Sequence, residues 1–361
     1  MDDERLRATA RKIVRECAGV TPGEDVYIEG RLDSSAYLEL LAFECELVGA
    51  RPLVVMYSDE LNLRRLLELP EEQLATKAEP WIAAVKAADV VITVAMEHGD
   101  PALFAGVPAA RQGAARKGRK LLADIIFDGT RRWIGTDYPT PAMARALGVP
   151  WERFADTFWR ALDVDYRLLR ERAERICAVL EKAETVRVRS PKGTDVTMRI
   201  AGRPLDRDIG VVTADAVLSN LPAGEVCLAP LEDGADGRVV FDLAFWDGHR
   251  VEDLEVEFER GRCRAVRAAR GLDVFTGVLA SSSGPADAIG ELGIGLNPAV
   301  TEVTGYMLTD EKILGTIHIA VGENRLLGGV NESSLHWDLL VMRASLEADG
   351  VAILDDGRLV V

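Results

Sequence analysis

The chain predicts an α/β domain with a mostly parallel sheet, followed by an α+β domain, on three observations. Over the first 150 residues, short apolar runs alternate with amphipathic stretches of helical period, the pattern of strands joined by crossover helices. From residue 185 onward the runs alternate with period two and turn residues separate them, which suits antiparallel pairing. The length of 361 residues exceeds the roughly 250–300 at which single cores stop growing, so two cores are expected. The resulting division is an α/β domain over 1–150, a linking helix over 151–184 and an α+β domain over 185–361.

Residues 4–18 read as an amphipathic helix, and Thr21-Pro-Gly-Glu24 as a turn before the strand Asp25–Glu29. A helix over 34–49 ends at Gly49, a left-handed cap position that glycine suits, and Pro52–Met56 follows as a strand. Residues 71–89 read as helical, Val90–Val94 as extended, 106–118 as helical and Leu121–Ile126 as extended. These strands are apolar throughout, as expected of a sheet covered on both faces. The Arg-, Glu- and Leu-rich stretch 151–184 reads as one long helix with a solvated face.

Beyond it, Thr185–Arg189 and Asp195–Ile200 flank Ser190-Pro-Lys-Gly-Thr194 as a hairpin. Val239–Phe245, Leu254–Phe258 and Cys263–Arg267 repeat the alternation, with turns at Asp247-Gly248 and Arg260-Gly261. Helical signal returns around 271–289, and 312–321 and 335–342 are again apolar.

Composition excludes several roles. With 48% apolar and 28% charged residues the chain is an ordinary globular one. No stretch approaches the roughly 20 apolar residues that span a bilayer, so no membrane partner is expected. The N-terminus Met-Asp-Asp-Glu-Arg-Leu-Arg lacks a secretory apolar segment. The five cysteines (Cys17, Cys45, Cys177, Cys227, Cys263) form no CxxC pair, so idle thiols in a reducing cytoplasm are expected. A net charge of −16 disfavours nucleic acid, which needs a basic face. There is no GxxxxGK[ST], and Gly293-Ile-Gly295 matches only half of a dinucleotide fingerprint.

The chemistry concentrates near the C-terminus. His336-Trp337-Asp338, read as a strand, puts His336 and Asp338 on one face and Trp337 on the other. His318 sits in the apolar run Gly315–Gly322, where a buried imidazole needs a partner. Two imidazoles and a carboxylate form a ligand set for a divalent metal. Glu225 and Glu291 each adjoin glycine, which permits the close backbone approach of a crowded site. Taken alone, each reads first as an exposed turn glutamate. His98 and His249, in loop-like settings, read as surface residues.

Four motifs occur in order: Asn220-Leu-Pro-Ala-Gly-Glu-Val226, Gly290-Glu-Leu-Gly-Ile-Gly295, Gly315-Thr-Ile-His-Ile-Ala-Val-Gly322 and Ser334-Leu-His-Trp-Asp-Leu-Leu340. Together with Gly193-Thr-Asp-Val-Thr197 and Pro22-Gly-Glu-Asp-Val26, this series resembles the M29 thermophilic metallopeptidase family, the aminopeptidase T/aminopeptidase S group. The resemblance implies two divalent metals (Zn, Co or Mn) held by Glu225, Glu291, His318, His336 and Asp338, with Glu291 bridging both. It implies a metallo-aminopeptidase that removes N-terminal residues from short peptides through a metal-activated water. It also implies a homodimer enclosing the active-site cavity.

The chain departs from that pattern twice. The family glutamate five residues before the histidine is Ile313 here, with Glu311 seven before; the family tyrosine after it is absent, and Arg325 stands nearby. Glu311 is the candidate general base and Lys312 the candidate oxyanion donor, although the two read equally as a surface pair opening a strand. Two other readings stay open. One is a ring-cleaving dioxygenase of the dihydroxypyridine type, with one Fe(II) on two histidines and Asp338. The other is a non-catalytic family member whose metal site has decayed.

Overall fold

A computed structural model describes residues 3–214, 216–246 and 248–361. Met1, Asp2, Asp215 and Asp247 lie outside the described residues, and with Asp247 the turn expected at Asp247-Gly248. The chain divides into two compact units: 1–156 with 210–221, and 157–209 with 222–361.

The first unit is built on a five-stranded parallel sheet. Its order is Arg51–Tyr57, Asp25–Arg31, Val90–Val94, Arg132–Thr136 and Leu218–Asn220. Val90–Val94 is buried along its whole length because helices cover both faces. Leu121–Ile126 is not extended but ends the helix Ala109–Ile126. Its Leu122 and Ile126, one helical turn apart, pack into a core with Tyr27, Val85, Val91 and Trp133. A short apolar run fits either period, and here the helical one prevails. The fourth strand is instead Arg132–Thr136, whose Arg132 and Gly135 obscured it.

The stretch 71–89 is two helices, Glu71–Leu74 and Glu79–Ala87, because Pro80 must sit in a first helical turn. The stretch 151–184 likewise holds two, Trp151–Leu162 and Tyr166–Leu180. Asp165 starts the second by accepting a hydrogen bond from the Arg167 N–H.

The second unit carries one large sheet, antiparallel throughout its ladders. Its main path runs Arg358–Leu359, Val351–Asp355, Ser345–Ala348, Thr185–Arg189, Asp195–Arg199, Ala235–Trp246, His336–Val341, Ile317–Gly322, Ile289–Gly295, Glu225–Leu228 and Asp206–Asp208. His249–Glu259 and Arg262–Arg267 extend from Ala235–Trp246 as a meander. The helical signal near 271–289 resolves into Leu272–Ser281. All five cysteines are buried thiols, and no helix among the described residues is long and apolar enough to cross a membrane.

At the C-terminal edge of the parallel sheet, the fully buried Arg31 fastens three segments. Its guanidinium donates to Asp137 Oδ1 at 2.8 Å, to the Glu97 carbonyl at 2.5 Å and to the Tyr138 carbonyl at 2.7 Å, with Asp33 completing the set. Asp137 is buried too, and burial pushes its carboxyl up against the pull of Arg31. Truncation at Arg31 therefore strands a buried acid. Arg31→Met should cost the first unit about 3–5 kcal/mol in urea unfolding, the range for breaking a buried pair, and an unchanged midpoint would show the pair to be dispensable.

Candidate metal centre

Four adjacent strands bring the candidate ligands to one face of the antiparallel sheet. Register sets Glu225 opposite Gly295, His318 opposite Gly293, Glu291 and Asp338 on either side of Ala320, and His336 opposite Gly322. Directly opposed residues share a face, so each ligand stands beside glycine or alanine. The small neighbours make the hollow. A Cβ at Gly293 would lie 1.9 Å from His318 Nε2, and one at Gly295 would lie 2.1 Å from the Ile313 carbonyl. A register shift between Ile289 and Glu291 bends the strand where Glu291 emerges. On the opposite face, Trp337 is buried against Trp246 and Phe275 and donates to the Phe245 carbonyl at 2.9 Å.

All five predicted ligands converge. His318 Nε2 lies 3.3 Å from both Glu225 Oε2 and Glu291 Oε1; His336 Nε2 lies 3.1 Å from Glu291 Oε2 and 3.5 Å from Asp338 Oδ2. Three overlapping sets have donor atoms within 4.8 Å of one another: Glu225, Glu291 and His318; Glu291, His336 and Asp338; Glu311, His318 and Asp338. Glu291, His318 and Asp338 each belong to two sets. Buried Glu225 Oε2, His318 Nδ1 and Asp338 Oδ1 have no hydrogen-bond partner. Buried polar atoms normally do, and a multivalent cation is one group that satisfies several oxygen and nitrogen donors at once. The donor set fits divalent metals.

Second contacts orient the ligands. His336 Nδ1 lies 2.8 Å from the Glu323 carbonyl and donates to it, which turns the Nε2 lone pair toward Glu291 and Asp338. His336 is over a third exposed whereas His318 is sealed, so the centre opens on the His336 side. His98 stacks on Phe104 and His249 is exposed; both lie outside this cluster.

The loop after the short helix Met307–Asp310 supplies Glu311 and Lys312. Asp310 anchors it by accepting the Thr304 and Gly305 N–H groups at 2.9 and 2.6 Å. Gly295 lets the 311–313 backbone press against the sheet. Lys312 is fully buried, with Nζ 2.5 Å from Glu225, 2.9 Å from Glu311 and 3.3 Å from Asp208.

The charges interlock. Burial pushes the Glu225 carboxyl up to about 8, with Lys312 pulling against it. Burial acts in the same direction on Glu291, but bonds from His318 and His336 overcome it and hold that carboxyl below the usual range. Burial would lower His318, yet Glu291 and Glu225 raise it to about 10. Ligation needs neutral imidazoles and ionised carboxylates, so protons leave as a cation enters.

The family model for thermophilic metalloprotease (M29) matches residues 2–361. The chain belongs to the M29 thermophilic metalloprotease family. Membership makes it a metallopeptidase, a hydrolase. Aminopeptidase T from Thermus thermophilus is 27% identical over 98% of this chain and 95% of its own length. The structure of wild-type AmpT from the same organism superposes with TM-score 0.82 at 25% identity, covering 99% of each chain. The 2,5-dihydroxypyridine dioxygenase of Pseudomonas putida KT2440 shares the fold, with TM-score 0.67 at 16% identity over 100% of this chain and 98% of that one.

The two departures from the M29 pattern now have locations. Ile313 does not stand in for the family glutamate, whereas Glu311 reaches within ligand range of His318 and Asp338. Arg325 pairs with Glu323 and Glu332. Sequence reading missed Asp208, which announces itself by no motif; only a buried lysine's need for counter-charge hints at such a residue. It also missed the Glu323 carbonyl, since backbone acceptors leave no signature.

Gly293 is the sharpest steric requirement of the M29 site. Gly293→Ala should displace the His318 ring and weaken metal affinity by about 10–100-fold, the usual cost of disturbing a ligand's support. Chelator competition on the folded variant measures this, and wild-type affinity would show that the ring tolerates the methyl group.

Proposed function

We propose that the protein is a metal-dependent aminopeptidase that releases the N-terminal residue of short peptides. The observation that carries this reading is the overlap of three donor sets through Glu291, His318 and Asp338, which suits two neighbouring cations better than one. Glu225, Glu291, His318, His336 and Asp338 would hold them, with Glu291 bridging and Glu311 within reach of the same site. Zn, Co or Mn all suit this donor set.

When bound, paired divalent cations polarise the scissile carbonyl and acidify water. The chain's own residues do the rest. Glu291 stands between the two imidazoles, one carboxylate oxygen toward each Nε2, and so sets their separation. Glu311, held at one oxygen by Lys312, keeps its other oxygen for a proton from the attacking water. Lys312 already faces three carboxylates, so donation to a substrate oxyanion would require it to release one of them. The exposed side of His336 is the approach for substrate. A homodimer that encloses this face, in the cytoplasm, would restrict substrates to short or unfolded peptides.

The likeness to the dioxygenase is one of fold alone. Glu225 and Glu311 both extend the donor set beyond the two histidines and one carboxylate that a single-iron centre requires.

Incubation of the metal-loaded protein with di- and tripeptides should release free N-terminal amino acids, and prior chelation should stop it. Ferrous-dependent oxygen uptake with dihydroxypyridine and no amino acid release would assign the site to ring cleavage instead. His336→Ala should lower kcat/KM by at least about 100-fold and reduce bound metal, with far-UV circular dichroism unchanged. Full activity at normal metal content would remove His336 from the site. Glu225→Gln should mainly deplete one of two ions, whereas retention of both would leave Glu225 a structural carboxylate.

A further inference from the structure

We infer that Lys312, backed by Asp208, is the positioning residue of the metal centre: it fixes one oxygen of Glu225 and one of Glu311, which leaves the second oxygen of Glu225 for a cation and that of Glu311 for the proton of the attacking water. This inference rests on the metal-centre reading.

An ammonium group has three N–H donors and no acceptor. Lys312 Nζ has three carboxylate neighbours, at 2.5 Å (Glu225 Oε1), 2.9 Å (Glu311 Oε1) and 3.3 Å (Asp208 Oδ2), and no exposed surface. Its donors are used up within the protein. The contacts are also selective. Lys312 takes Oε1 of Glu225, while Oε2 of the same carboxylate is buried, lacks a hydrogen-bond partner and lies 3.3 Å from His318 Nε2. The carboxylate is thus anchored at one oxygen and open at the other, on the side where the donor sets meet.

Asp208 has a different part. It stands directly opposite Glu225 in the ladder between Asp206–Asp208 and Glu225–Leu228, and it belongs to none of the donor sets. A buried ammonium beside a dication site repels the cation at close range in a low-dielectric interior. One carboxylate outside the ligand set cancels that charge. Lys312 and Asp208 are then neutral together, so the ammonium adds no net charge opposing the ligand carboxylates Glu225, Glu291 and Asp338. Lys312 supplies orientation, and Asp208 keeps that orientation from opposing the metal.

The test is titration of the metal-depleted, full-length protein with cobalt(II) against a chromophoric chelator, alongside apo-protein melting. The wild type should bind two ions. Lys312→Met should bind the ion at Glu225, Glu291 and His318 about tenfold or more weakly and keep the ion at Glu291, His336 and Asp338 near wild-type affinity. Asp208→Asn leaves Lys312 two carboxylates and should weaken the same ion selectively. It therefore decides the matter if Lys312→Met fails to fold. Wild-type affinity for both ions in Asp208→Asn and in any folded Lys312→Met overturns the inference, and so does equal weakening of both ions, which marks a merely structural role. If the wild type binds no cobalt at all, the metal centre falls and this inference with it. Two tightly held ions in every variant would leave the metal centre standing and refute only the clamp.

Discussion

The register of four antiparallel strands is the constraint on which the centre depends. With side chains alternating at period two, only one pairing sets Gly295, Gly293, Ala320 and Gly322 beside Glu225, His318, Glu291 with Asp338, and His336 respectively. A slip by one residue would turn the ligands to the far face, where Trp337 packs against Trp246 and Phe275. That aromatic packing locks the register from behind. The donor face can therefore be hollow and polar without loosening the sheet.

The hollow concentrates charge that would be costly without a counter-ion. Carboxylates and imidazoles crowd within hydrogen-bonding distance, and three buried donor atoms have no hydrogen-bond partner. Such a site stores unfavourable energy until a cation enters, an arrangement expected where function and not stability selects the residues. Lys312 and Asp208 stand on the protein side of the cluster, and the partly exposed His336 marks its open side. Burial, charge and access all point one way.

Much of this was legible in the sequence, for physical reasons. His336-Trp337-Asp338 fixed a face because strand periodicity is two, and the structure puts Trp337 behind the site. Gly290-Glu-Leu-Gly-Ile-Gly295 signalled close approach, which proved to be the His318 ring over Gly293 and the 311–313 backbone against Gly295. Other features left no local trace. Asp208 reaches Lys312 across 104 residues of chain, and no spacing rule predicts such a pair. Glu311 was visible as a displaced acid, yet its reach into the cluster depends on Asp310 anchoring the loop. Leu121–Ile126 misled because a short apolar run carries too few residues to separate period two from period 3.6.

Anomalous diffraction from crystals grown with cobalt(II) would count the ions in the centre and name their neighbours. Two peaks are expected amid Glu225, Glu291, His318, His336 and Asp338, beside Glu311, each at about 2.0–2.2 Å from its oxygen and nitrogen ligands. Peaks elsewhere, or none in a crystal soaked to saturation, would contradict the paired-metal centre.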